Sequence, residues 1–103
     1  MRCYVAGPMT GIEDLNFPAF ADATARLRAL GHDVVSPAEV NPDHTMPWAE
    51  CMKRDIPALC TCEAIVLLPG WQDSRGARLE HHVAHALGMQ SFSLDEAVAQ
   101  VDA

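Results

Sequence analysis

A glutamate on the apolar side of a helix is the first sign of chemistry in this chain. The stretch Leu67-Leu68-Pro69-Gly70-Trp71-Gln72-Asp73-Ser74-Arg75-Gly76-Ala77-Arg78-Leu79-Glu80 leads into a helical pattern. Counted from Gly76 at about 100° per residue, Leu79, Glu80, Val83, Ala84 and Leu87 share one arc, while Arg78, His81 and His85 face the other way. Glu80 therefore points with the apolar residues. Stripping water from a lone carboxylate costs several kcal/mol or more, so Glu80 must be paired, hydrogen-bonded or protonated. A functional site would meet that need, and so would a structural contact to Tyr4, Arg75 or loop N–H groups. At a helix start, the dipole and the free N–H groups favour the ionised form.

Other groups carry less. His81 and His85 stand four apart on one face, a metal-ligand spacing, but no third ligand accompanies them and a solvated face explains them more simply. Cys60-Thr61-Cys62 lacks the paired knuckles of a zinc site. No metal and no cofactor is expected. The four cysteines, Cys3, Cys51, Cys60 and Cys62, read as reduced thiols in a chain without a secretory signal. The segment Met1 to Gly7 is too short in its apolar part for a signal peptide, and no run approaches the roughly 18 to 20 apolar residues of a membrane span. A cytoplasmic protein with no membrane partner is expected. Net charge is -7 with seven Lys and Arg, and no basic run is available to neutralise a phosphate backbone, so a nucleic acid polymer is not expected as partner. A small anion held by backbone N–H groups stays open.

The elements that must position Glu80 follow from pattern and punctuation. The 103 residues fit one domain, 1–103. Cys3 to Ala6 reads as a short buried strand closed by Gly7-Pro8-Met9-Thr10-Gly11. Asn16 is placed to cap a helix carrying Pro18 in its first turn, Phe20, Ala23, Leu27 and Leu30 at helical spacing, and a stop at Gly31. Asp33 to Ser36 is a second strand, stopped by Pro37. Pro37 to Pro47 reads as a long loop. Trp48 to Cys62 reads as helical, with a kink or restart near Asp55 because Pro57 removes a hydrogen bond and clashes with the carbonyl of Lys53. Ala64 to Leu68 suits a central strand, Gly76 to Leu87 a helix ended by Gly88, and Ser91 to Ser93 a weak last strand. Ser93 with Glu96 forms a capping box for a closing helix through Val101. Strands alternating with helices give a parallel sheet between helix layers, with ligands beyond the carboxyl ends of the strands. The Gly7 to Gly11 loop, the Ser36-Pro37 turn, the Pro69 to Arg75 loop and a first helical turn holding Glu80 all fall at that edge. Asp55 either joins them or simply caps the restarted helix.

Three features together resemble a known family: the first strand ending in Tyr4-Val5-Ala6-Gly7-Pro8, the segments Arg54-Asp55-Ile56 and Cys62-Glu63-Ala64-Ile65, and Asp73 through Glu80. The chain resembles the nucleoside 2-deoxyribosyltransferase-like superfamily, most closely a small branch common in phage and bacterial genomes, from Cys3 to about Gly88. The resemblance implies a three-layer Rossmann-like or flavodoxin-like fold with a four-stranded, mainly parallel sheet. It implies hydrolysis of an N-glycosidic bond, or deoxyribosyl transfer, on a deoxynucleoside or its 5′-monophosphate. By position Glu80 looks like the nucleophile, Asp73 like a group near the base and its proton, and Asp55 like a contact to the sugar, with Tyr4 lining the pocket. Gly7, Met9, Thr10 and Gly11 occupy the loop that holds the 5′-phosphate in nucleotide-hydrolysing members, although Pro8 supplies no N–H there. Trp71, Ser74 and Arg75 complete the expected substrate-binding set, Trp71 as the better of two tryptophans for stacking on a base and Arg75 as a bidentate clamp for phosphate or carboxylate.

Cleavage of such a bond builds oxocarbenium character at C1′, which a facing carboxylate stabilises and captures, while Asp73 protonates the departing base. The expected partner is a small nucleoside or nucleotide. A homodimer or higher homo-oligomer is implied by the resemblance. Transferases of the superfamily are longer and borrow residues from a neighbouring subunit, whereas fifteen residues follow Gly88 here, which favours a compact hydrolase or a site without catalysis. Two alternatives remain: an NAD-type N-ribosyl hydrolase, and a non-catalytic nucleotide-binding or interaction module.

Overall fold

The computed structural model describes residues 1–42 and 45–99. Strand β1 (Arg2–Ala6) is central, with β2 (Asp33–Val35) on one side and β3 (Ala64–Leu67) on the other, and β4 (Gln90–Ser93) on the far edge of β3. All three pairings are parallel, with Tyr4 opposite both Val35 and Ile65. The expected sheet is therefore present, and it is parallel throughout.

Alternation along β1 sorts the two helix layers. Cys3 and Val5 point to one face, where they pack with Phe20, Ala23 and Leu27 of helix α1 (Phe17–Ala29) and Ala97 of helix α5 (Leu94–Ala99). Tyr4 and Ala6 point to the other, against Leu59 of helix α3 (Trp48–Cys60) and Ala77 and Ala84 of helix α4 (Arg75–Ala86). The side chains of Cys3 through Ala6 are fully buried, consistent with a strand covered on both faces.

Several boundaries differ from expectation. Helix α2 (Pro37–Val40) interrupts what reads as a loop in sequence; Pro37 sits at its start, where its missing N–H costs nothing. Helix α3 runs unbroken through Pro57, with no restart at Asp55. Lys53 and Pro57 both lie on its exposed side, where water can donate to the carbonyl that Pro57 leaves without a partner. Asn16 occupies the cap position of α1 but makes no capping bond, because it adopts a left-handed conformation and its Nδ2 instead donates to the Pro8 carbonyl at 2.9 Å. Asp14, Leu15 and Asn16 are all left-handed, with φ of 54°, 52° and 61°, a conformation that costs non-glycine residues about 1–2 kcal/mol each. The capping box is present, with Ser93 N donating to Glu96 Oε1 at 2.8 Å and Glu96 N to Ser93 Oγ at 3.1 Å. The expected extension of that helix to Val101 lies outside the described residues.

The loop after β1 comes very close to the end of β3. A Cβ added at Gly7 would stand 2.8 Å from Leu68 Cβ, while Leu68 N donates to the Ala6 carbonyl at 2.8 Å. Gly7→Ala is expected to cost about 1–3 kcal/mol through overpacking, read as a lower denaturation midpoint. Unchanged stability would mean that the backbone yields there more easily than the packing suggests.

Candidate functional site

Two helices on the same face of the sheet each bury an acid within an apolar stripe. In α3 the buried residues are Met52, Asp55 and Leu59, and in α4 they are Ala77, Glu80 and Ala84, with the same spacing. Helices α3 and α4 pack on one another, so the two acids share one pocket. The arc expected for α4 is narrower in the structure: Leu79 and Leu87 are 37% and 60% exposed. Helix α4 begins at Arg75, capped by Ser74 Oγ, which accepts from Ala77 N at 3.2 Å. Glu80 thus lies in the second turn rather than the first, beyond the range where a helix dipole helps an anion appreciably.

Both acids border a cavity of about 550 Å³. One wall is the segment after β1, with Gly7, Met9, Thr10 and Leu15; the opposite wall is the start of α4, from Asp73 to Ala77. In the order β2-β1-β3-β4 the chain leaves β1 for one side and reaches β3 on the other. The loops after β1 and β3 therefore part at this point, the crevice where open α/β sheets bind ligands.

Glu80 is 4% exposed and accepts a hydrogen bond at Oε2 from Tyr4 Oη, 2.5 Å away. Its pKa is pushed up to about 8, chiefly by burial; the Tyr4 bond works against the rise, and the negative charge of Asp55 adds to it. The expectation that the helix start keeps Glu80 ionised is thereby corrected: loss of water outweighs a dipole one turn away. Burial, then the Glu80 charge, holds the Tyr4 phenol well above its usual range, so it remains a donor. Asp55 is buried and accepts from Asn41 Nδ2 at 2.5 Å. Burial raises its pKa to about 6, and the Asn41 bond opposes the rise. Asn41 Oδ1 is buried without a hydrogen-bond partner among the described residues.

Of the residues singled out by sequence, the cavity gathers Gly7, Met9, Thr10, Asp55, Asp73, Ser74, Arg75 and Glu80 in its wall. Three are placed elsewhere. Tyr4 is fully buried behind Glu80 and does not reach the wall, because β1 is covered on both faces. Gly11 lies beyond the part of its loop that borders the cavity. Trp71 packs on the His81 ring, centroids 4.5 Å apart, on the other side of the α4 start. Trp48 takes the place expected for Trp71, with the Arg75 guanidinium 3.7 Å from its ring centroid. Asn41 carries no local sequence signal for this role, and Trp48 is the less favoured of the two tryptophans; the packing of α2 and α3 against the sheet brings both in. None of the four cysteines is in a disulfide among the described residues, and no cluster of three or more His, Cys, Asp or Glu with metal-binding geometry occurs among them.

Residues 1–92 match the family described as "Domain of unknown function (DUF4406)". The chain belongs to this family. No curated protein matches the DUF4406 chain. Two of the solved structures that resemble it are 2-deoxyribosyltransferases. One is a 2-deoxyribosyltransferase from the psychrotolerant bacterium Bacillus psychrosaccharolyticus, with a TM-score of 0.70 and 22% identity, covering 90% of this chain and 71% of that one. The other is the 2-deoxyribosyltransferase from Leishmania mexicana, with a TM-score of 0.70 and 19% identity, covering 89% and 62%. The DUF4406 chain thus spans less than two thirds of the Leishmania protein. The likeness shows that it shares the Rossmann-like fold of these two proteins. No helix among the described residues is long and apolar enough to cross a membrane.

Proposed function

We propose that the cavity cleaves the N-glycosidic bond of a deoxynucleoside or its 5′-monophosphate, by hydrolysis or by deoxyribosyl transfer, with Glu80 as nucleophile. The observation that carries this reading is a buried carboxyl group, steadied by Tyr4 and bordering a cavity at the crevice of a fold shared with two 2-deoxyribosyltransferases. Tyr4 engages Oε2, which leaves Oε1 for the substrate. In the first step the C1′–N bond breaks with its electron pair passing to the base, Glu80 Oε1 bonds to C1′, and Asp73 protonates the base. In the second, the oxygen of water or the nitrogen of another base bonds to C1′ as the C1′–Oε1 bond breaks, the proton of the attacking group passes to Asp73, and Glu80 regains its carboxylate. Asp55, fixed by Asn41, faces the sugar.

Attack requires ionised Glu80. With a pKa of about 8, kcat/KM is expected to climb with pH and level off above that value. Tyr4→Phe removes the bond that favours the ionised form, so the rising limb is expected to move to higher pH. A limb that stays in place would remove Tyr4 as the group that positions and tunes Glu80.

The test is chromatography of free bases after incubating the protein with deoxynucleosides, their 5′-monophosphates and NAD. Base released from a deoxynucleoside or deoxynucleotide supports the reading, and release from NAD alone would replace it with N-ribosyl hydrolysis. One observation favours a second reading. Glu80 is buried, and loss of water favours its neutral carboxylic acid, which suits a nucleotide-binding module without turnover. Ligand binding with no base release from any of these compounds would support that module.

A further inference from the structure

We propose that Arg75, set over the Trp48 ring, is the anion grip of this cavity and selects a ligand whose sugar carries a phosphate monoester. The nucleoside part of that ligand rests on the function proposed above; the grip rests on local chemistry. Among the described residues Arg75 is the only Lys or Arg in the cavity wall. Arg2, Arg26, Arg28 and Lys53 each pair with a carboxylate. Arg75, Arg54 and Arg78 form no such pair among the described residues, and of these three Arg75 alone borders the cavity. Its guanidinium carbon instead lies 3.7 Å from the Trp48 ring centroid. Stacking occupies the face of the guanidinium and leaves the N–H donors along its edge free, in the planar fork that matches two oxygens of a phosphate.

The platform is itself held in place. A Cβ at Gly76 would lie 3.4 Å from both Trp48 Nε1 and Met52 Sδ, so the indole sits tightly against the start of α4. A cation ordered before the ligand arrives loses less freedom on binding. Glu80 follows Arg75 by five residues, about 7.5 Å along the helix axis at about 1.5 Å per residue. Both residues border the one cavity, and only a furanose with its exocyclic carbon and a 5′-phosphate spans most of that rise, so a sugar with C1′ at Glu80 extends its 5′-phosphate towards Arg75. The loop after β1, where the resemblance would place the phosphate, contains Pro8, which offers no N–H. The opposite wall supplies the missing donor.

The test is equilibrium binding by titration calorimetry with 2-deoxyribose 5-phosphate, 2-deoxyribose and inorganic phosphate, on the native protein, Arg75→Gln, Arg75→Lys and Trp48→Leu. The native protein is expected to hold the phosphorylated sugar at least about tenfold more tightly than the free sugar, as for a charge-assisted bidentate pair. Arg75→Gln removes most of that difference, while Arg75→Lys and Trp48→Leu retain part of it. No binding of the phosphorylated sugar, equal affinity for both sugars, or a preference that survives Arg75→Gln would overturn the proposal. Inorganic phosphate binding as tightly as the sugar phosphate would also overturn it, by showing a bare anion site. Binding needs no turnover, so Arg75-dependent affinity without base release would refute the glycosidic reading and leave the grip standing.

Discussion

Glu80→Gln is expected to lower kcat/KM for base release by at least about a thousandfold, in keeping with the loss of a covalent nucleophile. The amide is nearly the same shape and its oxygen can still accept from Tyr4 Oη, so the cavity and the fold are retained. What disappears is the negative charge that stabilises C1′ as the base departs. Ligand affinity measured without turnover is expected to change far less. A loss of activity below about tenfold would leave Glu80 as a structural residue, and the nucleophile would have to be sought in Asp55 or Asp73.

The same two buried acids predict that the folded state weakens as pH rises. Glu80 goes from an ordinary value of 4.5 to about 8 on folding, and Asp55 from 3.8 to about 6. Between those limits the unfolded chain has released the protons while the folded protein still binds them. The folded state therefore holds more protons, and stability falls with increasing pH. The decline begins near pH 4, Asp55 contributes up to about 6 and Glu80 up to about 8, for a combined loss on the order of a few kcal/mol. Cys3, raised to about 11 by burial, adds a loss of the same sign above pH 9. Glu39, lowered by its hydrogen bond to Arg28, acts oppositely, but only below 4.5. Denaturant unfolding across pH 4 to 9 should show the midpoint of the native protein falling, and falling less in Glu80→Gln. A midpoint that rises between pH 5 and 8 would mean that the acids are better solvated than their burial implies. The carboxyl group proposed to do the chemistry is thus held at a cost to the fold, a burden found at many active sites.

The sequence made the floor of the site legible and left much of its wall obscure. Glu80 stands out because an acid in an apolar arc is a local contradiction, readable from spacing alone. Asp55 is ambiguous, since a polar residue just before a proline also fits a helix cap. It resolves only because α3 continues through Pro57 and turns that side chain inwards. Asn41 was not legible as a site residue, and Trp48 was legible only as the second of two tryptophans. Asn41 follows a four-residue helix whose pattern is too short to register, and Trp48 begins a helix that is amphipathic without help from its neighbours in space. The choice of Trp71 over Trp48 failed for a related reason: a loop position signals exposure but gives no direction, and Trp71 found His81 instead. Tyr4 was expected in the pocket and lies one layer beneath it, because a central strand can present only what its neighbours leave uncovered.

The cavity also joins parts of the protein that should differ in how readily they open. Its floor rests on β1, flanked on both sides by other strands, with side chains fully buried from Cys3 to Ala6. Amide hydrogens of such a strand exchange with solvent only when most of the molecule unfolds, whereas segments like Met9 to Asn16, with three left-handed residues and few backbone bonds, open at little cost. The reacting carboxyl group is therefore tied through Tyr4 to the slowest-exchanging layer, while the wall that must admit and release a ligand belongs to one of the fastest. Catalytic geometry can persist through the opening of the wall, and damage to the sheet would reach the chemistry before it reached the entrance.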